Sequence, residues 1–166
     1  GNLFEGGIRV PFVMQWPDQI KGGQTFNKPV SSLDIFATSK AITSPEITSK
    51  NQLHGVNLIP FIKGEKKHSP HSYLFWRNGL RKNENELRTE ASAVRSEKFK
   101  FIKTKEVDAL YNLKKEISEK TNLKDKKKEM YDSLKNEYKK WSKTLMDPTF
   151  LGLLANDQYN KLNPGR

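Results

Sequence analysis

The sequence predicts an α+β fold: a small antiparallel sheet with a long C-terminal helix packed on it. Three observations carry that expectation. Residues 73–76, 91–95, 99–104 and 109–112 are short aromatic or β-branched runs separated by polar turns, the pattern of paired strands. Met130, Leu134, Tyr138, Trp141 and Leu145 recur at spacings of 4, 4, 3 and 4, which places one apolar stripe on a helix. The order along the chain is strand, helix, several strands, then one long helix, and that order suits a sheet with its helices on one face.

Each element has a local reason. Residues 8–15 (IRVPFVMQ) are apolar and β-branched and are expected to form a strand. Pro11 has no N–H to donate, so that strand should lie at an edge or bulge there. Gly22 and Gly23 mark a turn over 18–27. Ser31 with Asp34 three residues later resembles a helix start, in which side-chain oxygens meet the first free N–H groups. Leu33, Phe36, Ala37 and Ala41 continue it on one face until Ser44-Pro45, and 43–52 is polar and loop-like. Residues 56–62 suit a short helical turn ended by Gly64, followed by a basic loop over 66–70. The run 73–76 is a strand, and the polar stretch 78–90 is expected to be a long exposed loop. Residues 91–95 and 99–104 flank Ser96-Glu97-Lys98 as a hairpin, with Phe99 and Phe101 on one face and Lys98 and Lys100 on the other. A short strand at 109–112 follows. The helix is expected over 125–145, stopped by Asp147-Pro148. Residues 147–166 form an extended tail anchored by Phe150, Leu151, Leu153 and Leu154, so the main body is 1–146. The Gly-rich turn over 1–7 reads as the middle of a longer protein.

Composition narrows the function. The 166 residues suffice for one domain with an appendage. There is no run of about 18 apolar residues, so no spanning helix and no membrane partner are expected. Cysteine is absent, which excludes disulfides, thiolate zinc sites and thiol catalysis. The formal charge of +11 raises polyanions as partners. Residues 97–143 hold 15 Lys against 9 acids. Many of these lysines (Lys126, Lys127, Lys128, Lys135, Lys139, Lys140) fall on the polar side of the long helix. Glu129, Asp132 and Glu137 interrupt them, and the helix aromatics fall on the apolar stripe. A solvated face is therefore favoured over nucleic-acid binding. His68 and His71 have a spacing that suits a metal on a helix, but Pro70 puts them in a loop. No G-x-S-x-G elbow occurs, and Gly6-Gly7 is too short for a phosphate loop. No self-contained catalytic constellation is present.

A series of motifs then changes the expectation. Phe4-Glu5-Gly6-Gly7-Ile8-Arg9-Val10-Pro11-Phe12 closely resembles the EGG-[IV]-R-x-P segment of the sulfatases. Trp16-Pro17 with Gly22-Gly23-Gln24 and the run from Pro29 to Thr38 resemble the next family segments in order. Gly55-Val56-Asn57-Leu58 with Pro60, then Leu74-Phe75-Trp76-Arg77, then Ala93-Val94-Arg95 with residues 98–102, continue the series. Leu110-Tyr111-Asn112-Leu113 with Glu119-Lys120-Thr121-Asn122-Leu123 extends it, and Asp147-Pro148-Thr149-Phe150 resembles a frequent tail. The likeness runs over about 2–150.

This resemblance implies the C-terminal subdomain of an alkaline-phosphatase-like sulfatase fold, with 1–30 completing a missing N-terminal domain. It implies a parent enzyme that hydrolyses sulfate esters using formylglycine and calcium. None of that machinery falls on this chain: no Cys or Ser stands two residues before any proline, and no paired-acid calcium motif occurs. The family's sulfate-contacting Lys stands just before the position of Gly1. The expected partners are the missing N-terminal catalytic part and a sulfated carbohydrate or aryl sulfate. Family members of bacteria are commonly exported, which implies a periplasmic or extracellular location. Asn2, Arg77 and His54 are the substrate-rim candidates; Arg77 suits an anionic sugar, and His54 stands where the family usually has Asp. Ser96-Glu97 and Asn112 depart from the usual Gly and Asp. Glu5 and Arg9 are expected to hold the fold through a buried charge pair. The alternative is a basic, non-catalytic module that binds sulfated polysaccharide or nucleic acid.

Overall fold

The computed structural model describes residues 2–43, 53–83 and 86–146. The chain divides into two compact units, one of Gly1–Val10 with Phe75–Arg166 and one of Pro11–Leu74.

The first unit is built on a four-stranded sheet. Strands β1 (Leu74–Asn83), β2 (Glu86–Arg95), β3 (Phe99–Lys103) and β4 (Asp108–Asn112) lie side by side in chain order. β2 and β3 are antiparallel with Ala93 opposite Ile102 and Arg95 opposite Lys100, and β3 and β4 are antiparallel with Phe101 opposite Leu110. Ser96 closes the hairpin: its N–H donates to the Phe99 carbonyl at 2.8 Å, and its Oγ accepts the Phe99 N–H at 2.9 Å. The Ser96 hydroxyl thus ties the turn down by a side-chain bond, where a glycine would rely on backbone freedom.

Directly opposed residues share a face, so the register sorts the side chains into two layers. Val94, Phe101 and Leu110 face helix α4 (Lys128–Ser142), where Phe101 meets Tyr131 at 5.4 Å and Tyr138 at 6.4 Å between ring centroids. Leu134 is buried there, and Trp141 stacks on Phe75 at 5.0 Å. The other face carries Ala93, Ile102, Ala109 and Tyr111. They form a cluster with Leu3 and Leu113, against which Phe4 and Ile8 pack from the one-turn helix α1 (Glu5–Ile8). The sheet is therefore covered on both faces. Lys100 lies on the face opposite Phe101, as expected, and is completely buried there.

Four readings change. Residues 78–83 and 86–90 belong to strands rather than to a loop, because the ladder pairs backbone groups whatever the polarity of the side chains. Residues 9–16 are not a strand, and Val13 stands 88% exposed. The apolar stripe of α4 runs through Tyr131 rather than Met130, which is exposed; two adjacent apolar residues left its phase ambiguous. The helix itself is shorter than expected. The tail over 147–166 and its anchors lie outside the described residues.

Asp108 fixes the start of β4 to α4. Its Oδ1 accepts from the Tyr131 hydroxyl at 2.6 Å and its Oδ2 from Lys124 Nζ at 2.7 Å. Burial pushes the Asp108 carboxyl up, but the bonds from Lys124 and Tyr131 outweigh it and hold the group below its ordinary value. Burial, then the bond to Asp108, pushes Tyr131 well up.

The second unit holds helix α2 (Leu33–Thr43) and the one-turn helix α3 (Ile59–Ile62). α2 is inside out. Asp34 and Thr38 face inward with Ala37, whereas Leu33, Ile35, Phe36 and Ile42 are exposed, Phe36 by 63%. Thr38 Oγ1 accepts the Leu58 N–H at 3.0 Å, which ties α2 to the residue before α3.

Two outcomes follow for stability. Leu134→Ala should cost about 2–5 kcal/mol by urea denaturation, the range for an emptied core leucine. A carboxyl held low in the folded state contributes stability that is present above its unfolded value, about 3.9, and lost as pH falls through the folded one. The stability of the wild type should therefore fall more steeply below about pH 4 than that of Asp108→Asn; parallel pH profiles would exclude this role for Asp108.

Candidate functional site

The chain opens on a tight turn that its own side chains hold. Asn2 Oδ1 accepts the Phe4 N–H at 2.9 Å, just ahead of α1. Gly7 closes the turn: a Cβ there would stand 2.2 Å from the Asn2 carbonyl oxygen, so any side chain would displace the backbone of Asn2. The side-chain oxygen of Asn2 is thus engaged locally, although the residue is exposed.

Behind this turn lies a buried cluster of two acids and two bases. Lys100 Nζ is 3.1 Å from Glu5 Oε1 and 2.7 Å from Glu119 Oε1. Arg95 Nη1 is 3.1 Å from Glu5 Oε2. The backbone N–H of Glu5 donates to Glu119 Oε2 at 2.6 Å, so Glu119 holds α1 by its main chain while Lys100 holds it by its side chain. Glu119 does this from a left-handed backbone, φ 53°. That conformation costs an L-residue about 1–2 kcal/mol, and the buried bonds offset it. The same carboxylate adds to the burial that raises the Tyr111 hydroxyl. Arg9 takes no part in the cluster; it is exposed, and the cationic partners of Glu5 are Lys100 and Arg95.

In the second unit the fully buried Asp34 makes a comparable knot. Its oxygens accept the Ser31 N–H at 2.7 Å and the Val56 N–H at 2.9 Å, and both lie 2.9 Å from His71 Nε2. Gly55 permits the approach, since a Cβ there would sit 2.1 Å from the Leu33 carbonyl oxygen. The helix start foreseen at Ser31 and Asp34 is present, and Asp34 also binds a loop about twenty residues away.

Arg77 lies on β1 and donates from Nη2 to the Met146 carbonyl at 3.1 Å. His54 is exposed beside Gly55. His68 sits edge-on to the Phe61 ring at 5.2 Å, while His71 is turned to Asp34. The two histidines thus have different partners and share no ligand geometry. Among the described residues no three His, Cys, Asp or Glu side chains converge to hold a metal. Asn2 and Arg77 contact their own chain, and the buried carboxylates Glu5, Glu119 and Asp34 are all matched by cationic side chains or N–H donors. Sequence reasoning missed Lys100, Glu119 and His71. The first two lie inside motifs quoted above for the resemblance, and only the fold shows that these motifs meet.

The family model described as N-sulphoglucosamine sulphohydrolase, C-terminal, matches residues 2–145. The chain belongs to the sulfatase family. Steryl-sulfatase of Rattus norvegicus is 38% identical over 74 residues, which are 45% of this sulfatase chain and 13% of that protein. Ulvan-active sulfatase of Formosa agariphila is 29% identical over 100 residues, 58% of this chain and 19% of that protein. The crystal structure of Ps i-CgsB superposes with a TM-score of 0.69 at 23% identity, over 89% of this chain and 32% of that one. The sulfatase chain thus spans a small part of the relatives it matches, and the part is their C-terminal region. Its sheet and helix are those of the alkaline-phosphatase-like class expected from the motifs.

Breaking the four-charge cluster should be costly. Lys100→Met would leave two carboxylates facing each other without their shared cation, and should destabilise the fold by about 3–5 kcal/mol in urea denaturation. A loss below about 1 kcal/mol, the size of an exposed pair, would mean that water already reaches these groups.

Proposed function

We propose that this chain serves as the C-terminal part of a sulfuric ester hydrolase, docking on an N-terminal catalytic part and shaping the rim of its cleft. The inverted α2 carries this reading. A helix that turns Asp34 and Thr38 inward and Leu33, Ile35, Phe36 and Ile42 outward has its apolar side set for another polypeptide surface. Residues 9–16 support it, since Phe12 and Val13 have strand composition and stand exposed. On this reading residues 1–30 complete the N-terminal domain, and the ladder partner of 8–15 belongs to that domain.

The nucleophile and the metal would come from polypeptide outside this chain. The described residues do not fit a calcium shell, because no three acidic or histidine side chains converge. A formylglycine precursor in C/S-x-P-x-R is absent from the sequence. This chain's contribution is position. Asn2 begins the turn that the buried cluster holds, and Arg77 keeps donors beyond the one it uses on Met146, enough for a carboxylate or sulfate. His54 is the third rim candidate. The names of two relatives support a sulfated carbohydrate as substrate: one is called ulvan-active, and Ps i-CgsB was crystallised with a k-i-k-neocarrahexaose at 25% identity to this chain. Steryl-sulfatase keeps the non-carbohydrate sulfates in view. The location is periplasmic or extracellular on the same family grounds. Among the described residues no helix is long and apolar enough to cross a membrane.

The test is sulfate release by the full-length protein that carries this chain, on a chromogenic aryl sulfate and on sulfated oligosaccharides. Release from at least one is expected. Phe36→Asp should lower kcat/KM at least tenfold, about 1.4 kcal/mol, by loosening the docked face, without altering the helix content of the isolated chain. A folded full-length protein that releases no sulfate from any of them would overturn the proposed activity. An unaffected Phe36→Asp variant would overturn the docking face alone.

A further inference from the structure

The described lysines differ in their partners. Lys100, Lys124 and Lys140 each sit within ion-pair distance of a carboxylate. Lys28, Lys63, Lys66 and Lys67, in the 11–74 unit, form no ion pair with a described residue. The fold gathers these four at the end of α3. Lys63 follows α3 directly, and its Nζ donates to Gln19 Oε1 at 2.6 Å. Gly64 turns the chain back at φ 78°, and Lys66 then donates its N–H to the Pro60 carbonyl at 3.0 Å. That reversal lays the Lys66 ammonium over the Phe61 ring, 5.4 Å from its centroid, with His68 edge-on to the same ring. Lys28 arrives from a separate loop and donates to the backbone carbonyl of Lys67. Lys63, Lys66, Lys67 and His68 are exposed, and the one acid in the loop is the exposed Glu65.

From this arrangement we infer a second binding surface for a polyanion, apart from the catalytic function proposed above: Lys28, Lys63, Lys66 and Lys67 around Phe61 bind a sulfated polysaccharide. Each ammonium has three donors and spends at most one on the protein, so each keeps donors for a sulfate oxygen. Glu65 is the one acid of the loop, so the four lysines leave a net positive local field. The loop is pre-shaped by Gly64 and by the Phe61 contacts, which lowers the ordering cost of binding. The chemistry favours polysaccharide over nucleic acid. The patch has no arginine to fork onto phosphates. Its aromatic ring is only 7% exposed and already covered by Lys66 and His68, so no base can stack on it. Lysine point charges suit sulfates spaced along a sugar chain.

The test is fluorescence anisotropy with a labelled sulfated carrageenan hexasaccharide and, separately, a single-stranded DNA of equal charge. It reads binding on the protein as it stands and needs no sulfate release, so failure of the catalytic reading leaves it intact. Three proteins are compared with the wild type: Lys63→Gln/Lys66→Gln/Lys67→Gln, the same positions changed to Arg, and Lys126→Gln/Lys127→Gln/Lys128→Gln as an equal loss of charge around the start of α4. The loop triple to Gln should weaken saccharide binding at least tenfold and flatten its salt dependence. The Arg triple should restore binding, and the α4 triple should change it less than twofold. Equal losses in the two Gln triples would overturn the proposal in favour of diffuse charge. So would a wild type that binds no saccharide, or one that binds the DNA more tightly through the same lysines.

Discussion

Lys100 is a lysine with no access to water, placed near the start of a central strand, and the order of its unit depends on how its charge is met. An isolated ammonium in such a place would carry a penalty of several kcal/mol. Glu5 and Glu119 meet it, and Arg95 balances the second negative charge, so that two acids face two bases. The carboxylates come from distant parts of the chain: one from the first residue of α1, the other from the segment after β4. Each residue is held by what it neutralises, and a strained backbone at Glu119 persists because the cluster fixes its side chain. A hydrophobic substitute could fill the space, but it would not fix the direction of the α1 turn, which here hangs on a side-chain bond and a main-chain bond at once.

The 11–74 unit uses the same device on a smaller scale. Asp34 is buried, and its two oxygens are shared among two backbone N–H groups and His71. Because the inward side of α2 is taken by this polar knot and by Thr38, the helix has apolar side chains left over for its outer side. Inner polarity and outer apolarity are thus two results of one sequence choice. The lysine-lined loop after α3 is built by different means, a left-handed glycine and an aromatic ring, and leaves its charges unmatched.

Much of the sheet and of α4 was legible because alternation and helical spacing report burial directly. Ala93, Val94, Phe101, Ile102 and Leu110 fall where a two-residue period puts them. The errors have physical causes. Polarity at 78–90 hid a ladder that depends on backbone groups. An apolar run at 8–15 announced a strand, yet a strand exists only with a neighbour. The burial of Lys100 was not legible because one strand cannot say whether its second face is covered, and its first carboxylate lies 95 residues away. Of the rim candidates, Asn2 and Arg77 could be named from motifs, while their bonds to Phe4 and Met146 depend on a turn and a strand end that only the fold brings together.

The separation of Glu5 from Glu119 carries a meaning for synthesis. They stand 114 residues apart, and translation at about 5–20 residues per second leaves roughly 6–23 s between their appearances at the ribosome. For that interval the EGG turn has emerged without the carboxylate that secures its amide. The sheet must be threaded and Lys100 delivered before the last anion arrives to close the cluster. The chain's first segment is therefore among the last to become fixed, and its order of birth is the reverse of its order of settling.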